Sequence, residues 1–388
     1  MGFKIEVNNV DLAKQLKRCC EIIPSSGPSP ILNNVLLTFN DDGLGLIVTD
    51  LTNTIRTRVL SAGKQEGTHC IAMVDAKKLM AMVDGFSEKR ITIFFDSKTN
   101  LLHLSSNRQE MSIASFGNAC DFPCNDANYD FEGDGILAHD KVPVATFQNA
   151  ISHIAWALPS NKGTSEYNYL FFRVKDGIFT CYAYTDVGIT KYKVENVFKE
   201  QPNCEFVLPP KALLKLAKYK NEEKELILLV HDNLVRIELD EAEYTIKRSA
   251  VKGIEFETHM RGLPMNKCKV AVKLLSDAMK ALAPVADDVA AKVNLSVEDD
   301  EITCKANHGG TSAGLIRIKA KDCYGDNLNG CYNLKQIVKA LDEIIAPEVQ
   351  LYFDSEVKSP KMFIEAKYVD GAEMSLGLLA GINPINKI

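Results

Sequence analysis

The sequence predicts an α+β fold of three repeats, each with two helices packed on antiparallel strands. Three observations carry that expectation. An order of helix, strands, helix, strands recurs roughly every 125 residues, and long-period self-similarity of this kind defines an architecture before any local motif does. The helical segments space apolar residues by three and four, as at Leu12, Leu16, Cys19 and Ile23. The strand segments alternate with period two, as at Ile237 and Leu239, and turn residues such as Asp41-Asp42-Gly43, Lys175-Asp176-Gly177 and Glu298-Asp299-Asp300 separate them.

The elements follow in order. The first repeat opens with a helix over 10–23 (VDLAKQLKRCCEII) and strands in PILNNVLLTF and GLGLIVTDLTNTIRTRV, then reaches a helix in DAKKLMAMVDGF and a strand in ITIFFD. The second opens with VPVATFQNAISHIAWAL, passes through NYLFFRV and GIFTCYAYTDVGITKYKV, and reaches PPKALLKLAKYK and ELILLV. The third runs from VAVKLLSDAMKALAPVA through AKVNLSVEDDEITCKA to YNLKQIVKALDEII and VQLYFD. A chain of 388 residues exceeds what one core usually serves, and polar joints near 126–140 and 256–267 divide it into domains at 1–128, 139–257 and 262–388.

Composition narrows the function classes. Hydrophobic content of 46% and charge of 25% are ordinary for a folded soluble protein. No stretch approaches the ~20 apolar residues of a membrane span, and the start lacks the pattern of a secretory leader, so a cytoplasmic protein without a membrane partner is expected. The 11 cysteines are scattered, and Cys120 and Cys124 form a lone CxxxC without a second pair, which reads as reduced thiols and not as a metal site. No phosphate-binding GxxxxGK[ST], GxGxxG or paired-histidine motif is present, and His308-Gly309-Gly310-Thr311-Ser312 reads as a hairpin loop. Asp50 and Asp186 occupy equivalent places in VTDL and YTDV, which suggests a turn or strand-end hydrogen-bonding role. Neither catalysis nor a cofactor is expected.

Charge distribution points elsewhere. The net charge is −6, yet the six helical segments carry 13 Lys or Arg against 7 Asp or Glu, and the rest of the chain 32 against 44. The basic positions follow helical spacing: Lys14, Lys17 and Arg18; Lys77 and Lys78; Lys211, Lys215 and Lys218; Lys273 and Lys280; Lys335 and Lys339. Lysine commonly fills a solvated helix face, but five helices of six doing so in an acidic protein favours a surface that attracts phosphates without reading bases.

The segment PSPILNNVLLTFNDDGLGLIVTDLTNTIRTRV, ACDFP at 119–123, and the order EDDEITCKAN, YNLKQIVKALDEI, VKSPKMFIEA resemble the bacterial DNA polymerase III beta subunit, the sliding clamp family, over essentially the whole chain. The resemblance implies a head-to-tail homodimer of six clamp domains closed into a ring, with helices lining a hole around double-stranded DNA. It implies a processivity factor whose partners are the DNA polymerase and the clamp loader. Lys162 falls where the family contacts DNA, whereas Ser25, Ser26 and Gly27 replace the family's basic loop residue.

The resemblance also implies a pocket between domains two and three for short partner peptides. By position it would use Thr185, Gly188, Ile189, Arg261, Met362, Ile382, Pro384 and Ile385. Asn386 stands where the family has Arg, which fits partner peptides of a phage-borne or otherwise divergent clamp. The alternative from another class is a repeat-built scaffold that binds peptides but not DNA, and such a protein would not need lysines on five helix faces.

Overall fold

The computed structural model describes residues 2–24, 29–41, 43–123, 135–158, 168–185, 188–200, 202–220, 223–252, 266–287, 291–309, 311–325, 329–353, 361–368 and 372–379. Its contacts gather into two compact units, Met1–Val144 with Lys211–Arg248, and Ala145–Pro210 with Ser249–Ile388. All strand pairings in the described residues are antiparallel, as the hairpin turns between alternating segments require.

In the first unit, β1 (Gly2–Asn8) leads into α1 (Asn9–Cys20), and β2 (Asn34–Asn40), β3 (Gly43–Thr49), β4 (Asn53–Val59), β5 (Ser61–Gly67) and β6 (Cys70–Asp75) follow. Then come α2 (Ala76–Asp84), β7 (Arg90–Asp96), β8 (Leu101–Ser105), β9 (Glu110–Ala114) and β10 (Ile136–Pro143). The helix caps are the local reason for these starts: Asn8 accepts from the Val10 N–H and Asp75 from the Lys78 N–H. After α3 (Val144–Ala155), the chain forms β11 (Leu170–Lys175), β12 (Ile178–Thr185), β13 (Gly188–Glu195) and β14 (Cys204–Leu208) in the second unit. It returns to the first for most of α4 (Pro210–Leu216) and for β15 (Glu225–His231), β16 (Leu234–Leu239) and β17 (Ala242–Lys247). The first unit therefore holds one sheet ordered β5-β1-β7-β8-β9 and another ordered β10-β15-β16-β17-β4-β3-β2-β6.

The second unit adds β18 (Asn266–Ala271), α5 (Val272–Leu282), β19 (Lys292–Glu298), β20 (Glu301–His308), β21 (Ser312–Lys319), β22 (Lys321–Tyr324) and β23 (Asn329–Asn333). It ends with α6 (Leu334–Asp342), β24 (Glu348–Phe353), β25 (Lys361–Lys367) and β26 (Glu373–Leu379). Its sheets run β14-β11-β12-β13-β26-β25-β24-β18-β22 and β21-β20-β19-β23. One core joins them: Leu275 and Met279 of α5 and Ile337 and Leu341 of α6 pack with Leu295 and Cys304 on one sheet and Leu351 and Met362 on the other.

Each of the six helices expected from the periodicity is present, and the element order recurs three times along the chain. Neither compact unit coincides with one repeat, because sheets run on from repeat to repeat: β17 pairs with β4, and β13 with β26. Three hairpins turn through paired left-handed residues, Asp176–Gly177, Asp299–Asp300 and Asp240–Glu241. The first two are marked in the sequence by Asp-Gly and by an Asp-Asp pair, whereas Asp240-Glu241 carries neither pattern. His308 to Thr311 closes the β20–β21 hairpin, the Thr311 N–H donating to the His308 carbonyl. Among the described residues, no helix is long and apolar enough to cross a membrane.

Candidate nucleic-acid interface and peptide site

Burial sorts the basic residues of each helix. On α1, Leu12, Leu16 and Cys19 are fully buried, and Lys14 and Lys17 are exposed. On α2, Ala76, Leu79 and Val83 are buried and Lys77 and Lys78 exposed. Lys215 is exposed on α4, and Lys218 is exposed in the turn just past that helix, where the Lys218 N–H reaches the Lys215 carbonyl. In the second unit, Lys273 and Lys280 on α5 and Lys335 and Lys339 on α6 are exposed. Lys280 reaches across to Asp342 at 2.6 Å, an exposed pair of the kind that contributes ~0–1 kcal/mol and opens easily. Lys162 lies outside the described residues.

Two basic residues depart from expectation. The side chain of Arg18 is fully buried and cannot present a charge to a phosphate. Its Nη2 stands 2.9 Å from Asp240 Oδ2, and Nη1 donates to the Asp240 carbonyl at 2.8 Å and to Gln15 Oε1 at 3.2 Å. The guanidinium lies over the Tyr219 ring, 4.1 Å from its centroid. Asp240 also receives Lys14 Nζ at 2.7 Å and the Tyr219 hydroxyl at 3.1 Å. Burial alone would raise the Asp240 carboxyl, but the hydrogen bond and charge of Lys14, the Tyr219 hydroxyl and the charge of Arg18 together hold it below its ordinary value. Lys14, gaining the carboxylate, is raised.

Lys211 is the second departure. It is only half-exposed, donating to the Ile22 carbonyl and to Asp50 Oδ2 at 2.7 Å. Asp50 in turn accepts from the Thr52 and Asn53 N–H groups through Oδ1, at 3.1 and 2.7 Å, and Leu51 beside it sits at φ 73°. Asp50 therefore has the turn role expected of it, extended by an ion pair to α4. Asp186 lies outside the described residues.

The register of the nine-stranded sheet bears on the peptide site. Ile189 on β13 stands opposite Gly377 on β26, which stands opposite Phe363 on β25. Gly188 lines up instead with Leu378 and then Met362. Because side chains alternate across a sheet, Ile189 and Phe363 share one face and Met362 points to the other, where it is fully buried in the core with α5 and α6. Met362 is thus a core residue, and the position sharing Ile189's face is Phe363, one residue on. Ile189 joins Phe171, Tyr182 and Tyr184 in a separate apolar cluster. The backbone of Thr185 closes the β12–β13 ladder opposite Gly188. Arg261, Ile382, Pro384 and Ile385 lie outside the described residues.

Residues 1–126 match the family described as DNA polymerase III beta subunit, N-terminal domain. The chain is 19% identical over 333 residues to the beta sliding clamp of Chlamydia pneumoniae, covering 85% of this chain and 87% of that protein. Residues 1–126 thus match the N-terminal domain of the DNA polymerase III beta subunit family. Solved structures agree on the fold: the DNA polymerase III beta subunit of Pseudomonas aeruginosa superposes with a TM-score of 0.86 at 18% identity, covering 98% of this chain and 100% of that one. The DNA polymerase sliding clamp of Bacillus subtilis gives a TM-score of 0.86 at 15% identity, with 99% and 100% covered. The match and the curated relative agree on the class of activity, that of a sliding clamp serving as a processivity factor.

Proposed function

We propose that two copies of this chain join head to tail, each with clamp domains at 1–128, 139–257 and 262–388, and close a ring around duplex DNA in the cytoplasm. One observation carries the reading. By order in the repeat, β9, β17 and β26 are equivalent, and so are β4, β13 and β21. Within the chain β17 pairs with β4 and β26 with β13, which leaves β9 and β21 as outermost strands of their sheets among the described residues. The joined edges bury their apolar residues, with Ile55 at 1% and Tyr244 at 3% exposure. The free edges do not: Met111 and Ile113 on β9 and Ile316 on β21 stay half-exposed, and Leu315 on β21 is more than 40% exposed. A second copy presents the missing strand at each edge, and a contact between unlike surfaces that closes by rotation gives a ring.

DNA is then held by topology, so weak phosphate contacts suffice. Lys14, Lys17, Lys77, Lys78, Lys215, Lys218, Lys273, Lys280, Lys335 and Lys339 supply them, with Lys162 a further contact. Arg18 and Lys211 act instead as structural ties. Replacing Lys215 and Lys218 with Glu should lower the slope of log affinity against log salt by about one for each phosphate no longer neutralised, and leave the urea midpoint unchanged. An unchanged slope would remove these residues from the DNA surface.

Partner peptides of the polymerase and the clamp loader occupy a pocket walled by Ile189 and Phe363, with Thr185, Gly188, Arg261 and the carboxyl-terminal Ile382, Pro384 and Ile385 contributing. Gly377 stands between Ile189 and Phe363 in the ladder and adds no side chain of its own. Ile189→Glu, or deletion of 382–388, should weaken peptide binding at least tenfold (about 1.4 kcal/mol) while the dimer persists. Peptide titration monitored by fluorescence anisotropy measures this, and undiminished polymerase stimulation by both variants would refute the pocket.

A further inference from the structure

Ten cysteines of the described residues are free thiols. Among them, only Cys268 and Cys323 lie between the same two ladder rungs of adjacent strands. On β18 and β22, Lys267 stands opposite Tyr324 and Lys269 opposite Lys321, and the register shifts between them. Cys268 alone thus opposes two residues, Asp322 and Cys323, which is the geometry of a β-bulge, and Asp322 takes the left-handed conformation at φ 53°. The bulge decides which way Cys323 faces. Of the four residues of β22 it is the one that is not exposed, and it packs against the core cluster that contains the fully buried Cys268.

We propose that Cys268 and Cys323 form a redox site, closed to a disulfide by a small-molecule disulfide of the glutathione class. Facing residues of antiparallel strands hold their Cα atoms about 4.5–5.5 Å apart, inside the roughly 4.4–6.8 Å window of a disulfide. The two thiols are also close enough to influence each other's titration, Cys323 raising Cys268 and Cys268 lowering Cys323, while the Cys323 thiol lies 3.9 Å from the Lys321 carbonyl. Cys323, the more accessible, is the attacking group. Its thiolate displaces one glutathione thiolate and leaves a mixed disulfide. The Cys268 sulfur, having given up its proton, then attacks Cys323 Sγ and expels the second glutathione. Two protein thiols lose two electrons and two protons, and the reagent gains them as two thiols. Burial, then Asp300 from the β19–β20 turn, pushes the Cys323 thiol up to about 11, against a smaller opposing effect of Cys268. Cys268 is raised further by burial. The site therefore rests reduced near neutrality and reacts faster as pH rises. β22 continues from β21 through Ala320, so the bond would fasten the far end of that edge strand. The site stands independently of the ring.

The test incubates the folded full-length protein with oxidised glutathione at several pH values, alkylates the remaining thiols and maps the products by mass. The expected product is lighter by two hydrogens and carries residues 268 and 323 in one linked peptide. Its initial rate should rise about tenfold per pH unit on the alkaline side of neutrality. Cys268→Ser should stop at a stable glutathione adduct on Cys323, and Cys323→Ser should give neither product. A persisting adduct on Cys323 in the unaltered protein, linkage of other cysteines, or linkage only after unfolding would each overturn the proposal.

Discussion

Arg18→Ala is expected to destabilise the first unit by about 3–5 kcal/mol, the usual cost of removing one partner from a buried ion pair. The side chain is fully buried, and the substitution removes three kinds of interaction together: two hydrogen bonds to Asp240, one to Gln15 and the stacking on Tyr219. Gln15 is also held by the Thr57 hydroxyl at 2.8 Å, so the loss spreads to β4. Urea unfolding measures the change, with Lys17→Ala as control. Lys17 is exposed on the same helix and should cost no more than about 0.5 kcal/mol. Equal midpoints for the two variants would show that Arg18 contributes nothing beyond its neighbour. The effect has a pH sign. The Asp240 carboxyl is depressed in the folded protein, so its contribution is fully present above its unfolded value and is lost as pH falls through the folded one. The gap between Arg18→Ala and the unaltered protein should accordingly narrow in acid and stay constant from mildly acidic to neutral pH.

Arg18 also shows where the sequence stops being legible. Its spacing from Lys14 puts both on one helix face, and the pair reads as a solvated stripe. What buries it is Tyr219, Asp240 and Tyr244, which are more than 200 residues away and reach α1 only because β17 pairs with β4. Local periodicity carries no information about such partners. Asp240 is hidden for a second reason, since its hairpin takes two left-handed residues without the glycine that marks Lys175-Asp176-Gly177. Lys211 repeats the lesson, with Asp50 as the distant partner.

The helices are legible because each buries one stripe, as Leu12, Leu16 and Cys19 do, and so is the Asp50 turn. Position along β25 is legible only to within a residue. Met362 and Phe363 are both apolar, so nothing in SPKMFIE says which face either occupies. In a strand that single step exchanges core for surface, and the ladder to β26 and β13 decides it.

If the proposed ring forms, Ile316→Glu should convert its dimer to monomer at concentrations where the unaltered protein is fully dimeric. Met111→Lys should do the same from the opposite edge. Both residues lie on free edges with half-exposed side chains facing helices of their own unit: Ile316 packs against the core that includes α5, and Met111 approaches Gly85 at the end of α2. At a joined edge, by contrast, the facing residues Thr57 and Ala242 are buried against each other across β4 and β17. Closing an edge over one unpaired charge costs roughly 3–5 kcal/mol, which weakens association by about three orders of magnitude. A symmetric dimer of either variant carries that cost at both of its contacts. A mixture of the two variants does not. In a ring of one Ile316→Glu copy and one Met111→Lys copy, one contact joins two unaltered edges and the other sets Lys against Glu. Sedimentation should therefore show monomers for each variant alone and heterodimers on mixing. Monomers in the mixture, with both variants folded, would mean that β9 and β21 do not meet, whereas dimers of either variant alone would place the interface elsewhere on the molecule. A side-to-side dimer of two identical patches predicts no rescue, because mixing would leave each patch facing an unaltered copy of itself. Rescue by mixing thus distinguishes a contact between unlike edges from a contact between like ones.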